Sequence, residues 1–459
     1  MNKLFLTLTM MMLPLMIWSC SKEDGPEVPD TPTGGSVTIT ATPENLSAGH
    51  EATTAEITVT STADWSATGD CDWLGATPIG GVKDQPTKVT VKIAANNGST
   101  SRTGNIIIKS SGKEVRIVVT QTARPTLNAS ESTVYFGAQA SETSVKIEAN
   151  AAWTATSDAT WCVVTPAQGD ESTGTLSISA AANDSKATRE ATVTLKSGDL
   201  ERSIKVMQFS DEITAPAGYT LVWHDEFDKG PVPSSDWTIE NWAPGHVNNE
   251  LQTYTSKEVD GKRTLEVKDG FLNINCFKAN DGKVYSGRMN AKPSTGWLYG
   301  YFEARIMLPK GKGTWPAFWM MPSNVDWGKN PWPYCGEIDI MEEVGANPDY
   351  VSSSLHTGNY NHTKGTQKTH EMKCAGAEGE FHIYALEWTE DEITTYVDGK
   401  VQLKATKASM GADHDSWPFH YAFYPILNLA WGGDWGGYKG VDESALPVTM
   451  KVDYVRIFQ

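Results

Sequence analysis

Cysteine is scarce in this chain, with six among 459 residues. There is no Cys-x-x-Cys pair and no His-Glu-x-x-His, which argues against zinc chemistry of the usual spacings. Basic residues are outnumbered, 38 against 56 acidic, for a net charge of −18. Such a surface disfavours nucleic acid and anionic membrane as partners, and favours a neutral polymer over a sulfated one. Apolar runs long enough to span a membrane are missing. Convincing long helical patterns are missing too. What remains is alternation of polar and apolar residues over most of the length. The chain is too long for one core and long enough for about three domains.

The first half repeats itself. Trp65, Trp73 and Pro78 recur 88 residues later as Trp153, Trp161 and Pro166. Asn96, Arg102 and Gln121 recur 87 residues later as Asn183, Arg189 and Gln208. Constant spacing of this many landmarks means two copies of one domain. Lys88–Ile93 and Thr175–Ser179 alternate as strands do. The lengths suit immunoglobulin-like sandwiches over residues 37–123 and 125–210. Their tryptophans stand where a core is expected, so a spacer role is favoured over sugar binding. After residue 212 the composition changes, and twelve of the 17 tryptophans follow it.

Within that second half, Gly336-Glu337-Ile338-Asp339-Ile340-Met341-Glu342-Glu343 sets acids inside an apolar strand. Acids are depleted in strands and seldom buried, so their clustering points to an enclosed site. Glu337 and Asp339 share a face, because strand side chains alternate. Glu342 is out of phase by one residue. A β-bulge at Ile340 or Met341 would return it to the acidic face. Paired carboxylates on one face suit hydrolysis by double displacement. Three close carboxyls cannot all ionise freely, so at least one pKa should rise.

The segment resembles glycoside hydrolase family 16, in its laminarinase-like branch. The resemblance covers about residues 215–459 and runs through Leu221–Phe227, Asn248–Thr255, Ser286-Gly287-Arg288, Tyr301–Arg305, Gly313–Met320, His356-Thr357, Asn428-Leu429-Ala430 and Val452–Arg456. It implies an all-β chain: two immunoglobulin-like sandwiches, then a β-jelly-roll of the concanavalin type. It implies Glu337 as nucleophile, Glu342 as acid/base and Asp339 as their helper. Trp332, Trp327, His356, Arg288 and Asn248 are the expected substrate contacts. The implied activity is endo-hydrolysis of β-1,3-glucan of the laminarin type, extending to mixed-linkage β-1,3-1,4-glucan. Agar or porphyran hydrolysis, or a silent glycan-binding protein, are the alternatives. Catalysis needs no cofactor. The family's structural calcium maps to Glu226, Gly270 and Asp453. One segment departs from the family pattern, Asn428-Leu429-Ala430-Trp431-Gly432-Gly433-Asp434-Trp435, where Trp431 and Asp434 are expected to reshape the cleft. The repeats look like BACON domains.

The N-terminus carries the remaining expectations. Residues 1–19 read as an export signal, with Lys3 before the apolar Leu4–Trp18. Ile17-Trp18-Ser19-Cys20 resembles a lipobox, which would lipidate Cys20. Ser21-Lys22-Glu23-Asp24 resembles the surface-export tag of Bacteroidetes-type lipoproteins. Residues 20–36 are a Pro- and Gly-rich tether. The expectation is a monomeric outer-membrane lipoprotein facing outward, touching the membrane only through its lipid. With Cys20 set aside, five cysteines remain. Five is odd, so at least one thiol lacks an intrachain partner, and a disulfide among Cys276, Cys335 and Cys374 stays open.

Overall fold

The computed structural model describes residues 36–185, 187–323 and 325–459. The signal, Cys20 and most of the tether lie outside the described residues. The rest is strands joined by turns and loops, with very little helix. Among the described residues no helix is long and apolar enough to cross a membrane. All five cysteines from Cys71 onward are free thiols. The chain falls into two compact units, the described residues up to Arg124 and Pro125–Gln459.

Each repeat is a sandwich of a four-stranded and a five-stranded sheet with the same strand order. Trp65 and Trp153 fill the two cores, at 5% and 2% exposure. Trp73 and Trp161 do not stand free as sugar platforms. Arg102 lies over the Trp73 ring at 4.3 Å, and Arg189 over Trp161 at 4.4 Å. The same arginines bond Gln121 and Gln208, each through Nε at 2.9 Å. The repeated landmarks are thus one device. A guanidinium is held between an indole face and a glutamine that itself bonds loop carbonyls.

The remainder is a two-sheet jelly roll. A ten-stranded sheet packs against a seven-stranded one around a core that includes Phe302, Ile306, Phe318, Ile338, Met341, Leu427 and Ile457. Burying such side chains contributes roughly 1.5–3 kcal/mol each. The strand Glu337–Glu343 lies inside the seven-stranded sheet. It is flanked by Thr314–Pro322 and Tyr350–His356, both antiparallel. The strand Val448–Phe458 runs through the middle of the other sheet and pairs with Gly300–Met307, Phe271–Lys278 and Leu221–Asp225.

Candidate active site

The register of Glu337–Glu343 slips once. Trp319 pairs with Asp339 but Phe318 with Met341, so Ile340 is the extra residue against that neighbour. On the other side Asp339 pairs with Ser354 and Glu342 with Ser352. This is the bulge that alternation requires. Ile338, Ile340 and Met341 all enter the core, while Glu342 returns to the face of Glu337 and Asp339. Ser353 anchors the bulge by donating its hydroxyl to the Asp339 carbonyl at 2.7 Å.

Indoles and an imidazole surround the three acids. His356 Nε2 lies 3.2 Å from Asp339 Oδ2 and 3.9 Å from Glu337 Oε1. The Trp315 indole N–H donates to Glu342 Oε1 at 2.9 Å. Trp332 and Asp339 both act on the Glu337 carboxyl, the indole lowering its pKa and the Asp339 charge raising it. Burial is the largest influence on all three acids and pushes each pKa up. The Asp339 charge raises both glutamates further. Each reaches about 8, so the cluster as a whole retains protons at neutral pH, and Glu342 is available as the protonated member. An acid with that pKa is fit to protonate a leaving oxygen.

A second tier holds the floor of the cleft. Arg288 is buried between two indoles, 4.1 Å from the Trp242 ring and 4.8 Å from Trp319. Its Nε has no hydrogen-bond partner among the described residues. Trp319 donates to Asn428 at 2.7 Å, and Asn428 donates to the Tyr254 hydroxyl at 3.2 Å. Asn248 and Asn249 adopt left-handed backbone angles, φ 49° and 51°, which asparagine tolerates. That turn brings Asn248 to Glu250 at 3.4 Å. Asp434 holds the same turn by accepting from Asn249 at 2.8 Å. Trp327 projects from the loop before the catalytic strand with 65% of its surface exposed.

Sequence reasoning passed over several residues. Glu250 is 7% exposed and its charge acts on Glu342. Its alternation with Gln252 and Tyr254 was the available signal. His362 lies tilted 5.0 Å from Trp332 and edge-on 5.2 Å from His356, and burial lowers its pKa. Nothing local marks it. Trp431 overturns an expectation. It is 1% exposed and sits in the core with Leu427 and Leu429, so it does not line the cleft. Parity explains this, since it lies an even number of residues from both.

The calcium expectation does not fit. Glu226 gives both carboxylate oxygens to Arg456, at 2.9 and 2.7 Å. Asp453 accepts from both Nε and Nη2 of Arg305, and Gly270 faces backbone of the second sandwich. Calcium requires six to eight oxygens. Here the two carboxylates already hold cations.

Paired carboxyls on one face of a strand suit glycoside hydrolysis, and the comparisons with known proteins agree. The model for "Glycosyl hydrolases family 16" matches residues 241–456. The β-glucanase of Rhodothermus marinus is 41% identical over 256 residues, covering 54% of this chain and 88% of that protein. The glucan endo-1,3-β-glucosidase A1 of Niallia circulans is 35% identical over 273 residues, covering 53% of this chain and 38% of that protein. The solved Rhodothermus marinus laminarinase superposes with a TM-score of 0.50 at 39% identity, covering 52% of this chain and 97% of that one. The chain belongs to glycoside hydrolase family 16. The model for BACON, a putative binding domain, matches residues 62–122 and 151–209.

Proposed function

We propose that this hydrolase cleaves β-1,3-glucan of the laminarin type internally, with retention, and also cuts mixed-linkage β-1,3-1,4-glucan. The bulge carries the mechanism, because it gives Glu337 and Glu342 a common face. The names of the relatives support the substrate class. Glu337 attacks the anomeric carbon and forms a glycosyl-enzyme ester. Glu342, protonated, gives its proton to the leaving oxygen. The resulting carboxylate then takes a proton from water, which attacks the same carbon and frees Glu337. Asp339 shares the face of Glu337 and keeps the pKa of both glutamates high. His356 positions Asp339. Trp315 fixes the Glu342 carboxyl, and Trp332 offers an indole face for a pyranose ring.

Two carboxyls and water complete this chemistry, so no cofactor takes part. The domain bounds, the monomeric state and a Cys20-linked lipid anchor facing outward belong to the same proposal. They rest on the sequence patterns given above. The test is one product profile on laminarin, mixed-linkage glucan, agarose and xyloglucan, with the first-formed anomer read by proton NMR. Short β-1,3-linked oligosaccharides appearing first as β-anomers are the expected result. Cleavage of agarose alone would move the substrate to a galactan, and an initial α-anomer would refute double displacement.

A further inference from the structure

Three carboxylates, Glu226, Glu303 and Asp453, cluster on the outer face of the ten-stranded sheet with Arg305 and Arg456. Arg305 does more than neutralise Asp453. Its guanidinium lies 3.6 Å from the ring centre of Phe209, which belongs to the second sandwich. Phe209 is 4% exposed. It packs edge-on to Phe381 at 5.2 Å and to Phe271 at 6.3 Å, and stacks on Tyr135 at 6.0 Å. Tyr135 reaches Phe381 at 5.2 Å. Beside them two glycines let the backbones meet. A Cβ on Gly270 would come within 2.8 Å of Gly137 Cα, and one on Gly137 within 2.9 Å of Gly270 Cα. Ser141 adds a bond to Asp269 at 3.3 Å.

The first sandwich provides an internal control. Its backbone bonds place Thr122 where Phe209 stands: Thr122 N donates to Ala48 O, and Phe209 N donates to Phe136 O. By the same alignment Ser47 stands for Tyr135 and Glu51 for Gln139. Ser47, Glu51 and Thr122 are all exposed. The shared fold therefore does not require aromatics there. The second copy, packed on the jelly roll, carries them, and the first does not.

We infer that Arg305 and the aromatic edge of the second sandwich occupy the role of a structural divalent cation, so that this sandwich is an integral part of the catalytic unit and calcium is not. A guanidinium between Asp453 and an aromatic face supplies the positive charge the buried acid needs. The same charge repels a second cation. The covering sandwich closes the approach through Gly270.

The test uses the full chain. Thermal unfolding is followed with excess EDTA and with millimolar calcium chloride, and calcium chloride alone is titrated in by calorimetry. Equal melting temperatures within about 1 °C and no saturable heat are expected. A calcium-dependent rise of several degrees, or a saturable heat, overturns the inference without touching the assignment of the hydrolytic carboxylates. A second arm replaces the contact with the residues of the first copy, Tyr135→Ser with Phe209→Thr. The jelly-roll transition should fall by roughly 5 °C or more, since a domain of this size loses about 2–4 °C per kcal/mol. Phe209→Thr alone gives a smaller shift of the same sign. An unchanged transition in both variants overturns the structural role of the sandwich.

Discussion

The jelly roll carries two carboxylate clusters, one on the outer face of each sheet, and their fates differ. Glu337, Asp339 and Glu342 have indole N–H groups and a histidine for company. Glu226, Glu303 and Asp453 have two arginines. Both sets are largely buried. Burial lifts Asp453 only to about 6, since Arg305 opposes it, whereas Glu342 reaches about 8. The difference teaches what makes a buried acid chemical rather than structural. A fixed guanidinium stabilises the anion and occupies an acceptor oxygen. An indole N–H orients a carboxyl yet leaves its proton free to move.

Breaking the reactive cluster should have the largest effect. Glu337→Gln is expected to lower kcat on soluble glucan by at least about 10³-fold, with polymer binding retained in pull-down. Activity within tenfold of the parent would falsify its role as nucleophile. The same change should raise the melting temperature near pH 8. Folding lifts the Glu337 pKa from 4.5 to about 8. The folded form thus keeps a proton that the unfolded chain releases in that window, and folding weakens as pH rises through it. Glutamine removes that burden.

Glu342→Gln comes next, at about 10²–10⁴-fold on polymer. The loss should shrink on aryl glycosides whose leaving group needs no proton. A uniform loss on both would mean the residue only binds. On the opposite sheet, Arg305→Gln strands a buried Asp453, a change worth about 3–5 kcal/mol. A melting point lower by roughly 10 °C, with kcat at room temperature unchanged, is the expected pairing. A loss of kcat in the folded variant would mean the two clusters communicate.

Asp339→Asn should be the mildest. About a tenfold loss is expected, with the alkaline limb of kcat/KM moved to lower pH. In the parent that limb falls as pH rises through about 8, where Glu342 gives up its proton. Removing the Asp339 charge makes Glu342 easier to ionise. An unmoved limb would show that the pair is not electrostatically linked.

Much of the reactive cluster was legible because its information is local. Three acids in an apolar strand, out of phase by one, require both a site and a bulge. The repeats were legible because spacing survives changes of residue. The other cluster was legible only in part: the resemblance grouped Glu226 with Asp453, but Arg305 meets Asp453 across 148 positions and no local pattern announces a partner so distant. His362 was missed for a similar reason, because a loop delivers it. The docking edge was readable in principle. Setting Ser47 and Thr122 beside Tyr135 and Phe209 would have shown one copy exchanging polar residues for aromatic ones. Trp431 was misread because its novelty outweighed its parity.

The bulge at Ile340 also makes this active site a matter of counting. Along a regular strand, identity can drift while length holds. Here exchanging Ile340 or Met341 for another apolar residue of similar size should be tolerated, since both meet only core. Deleting either one would remove the extra residue, and plain alternation would then hold Glu342 on the acidic face and leave Glu343, now 0% exposed, in the core. The acidic face would survive, but without the kink and added twist that the bulge gives the strand between Asp339 and Glu342. An alignment gap of one residue there would therefore mark a flatter strand with the same three acids, whereas a gap of two would carry Glu342 inward.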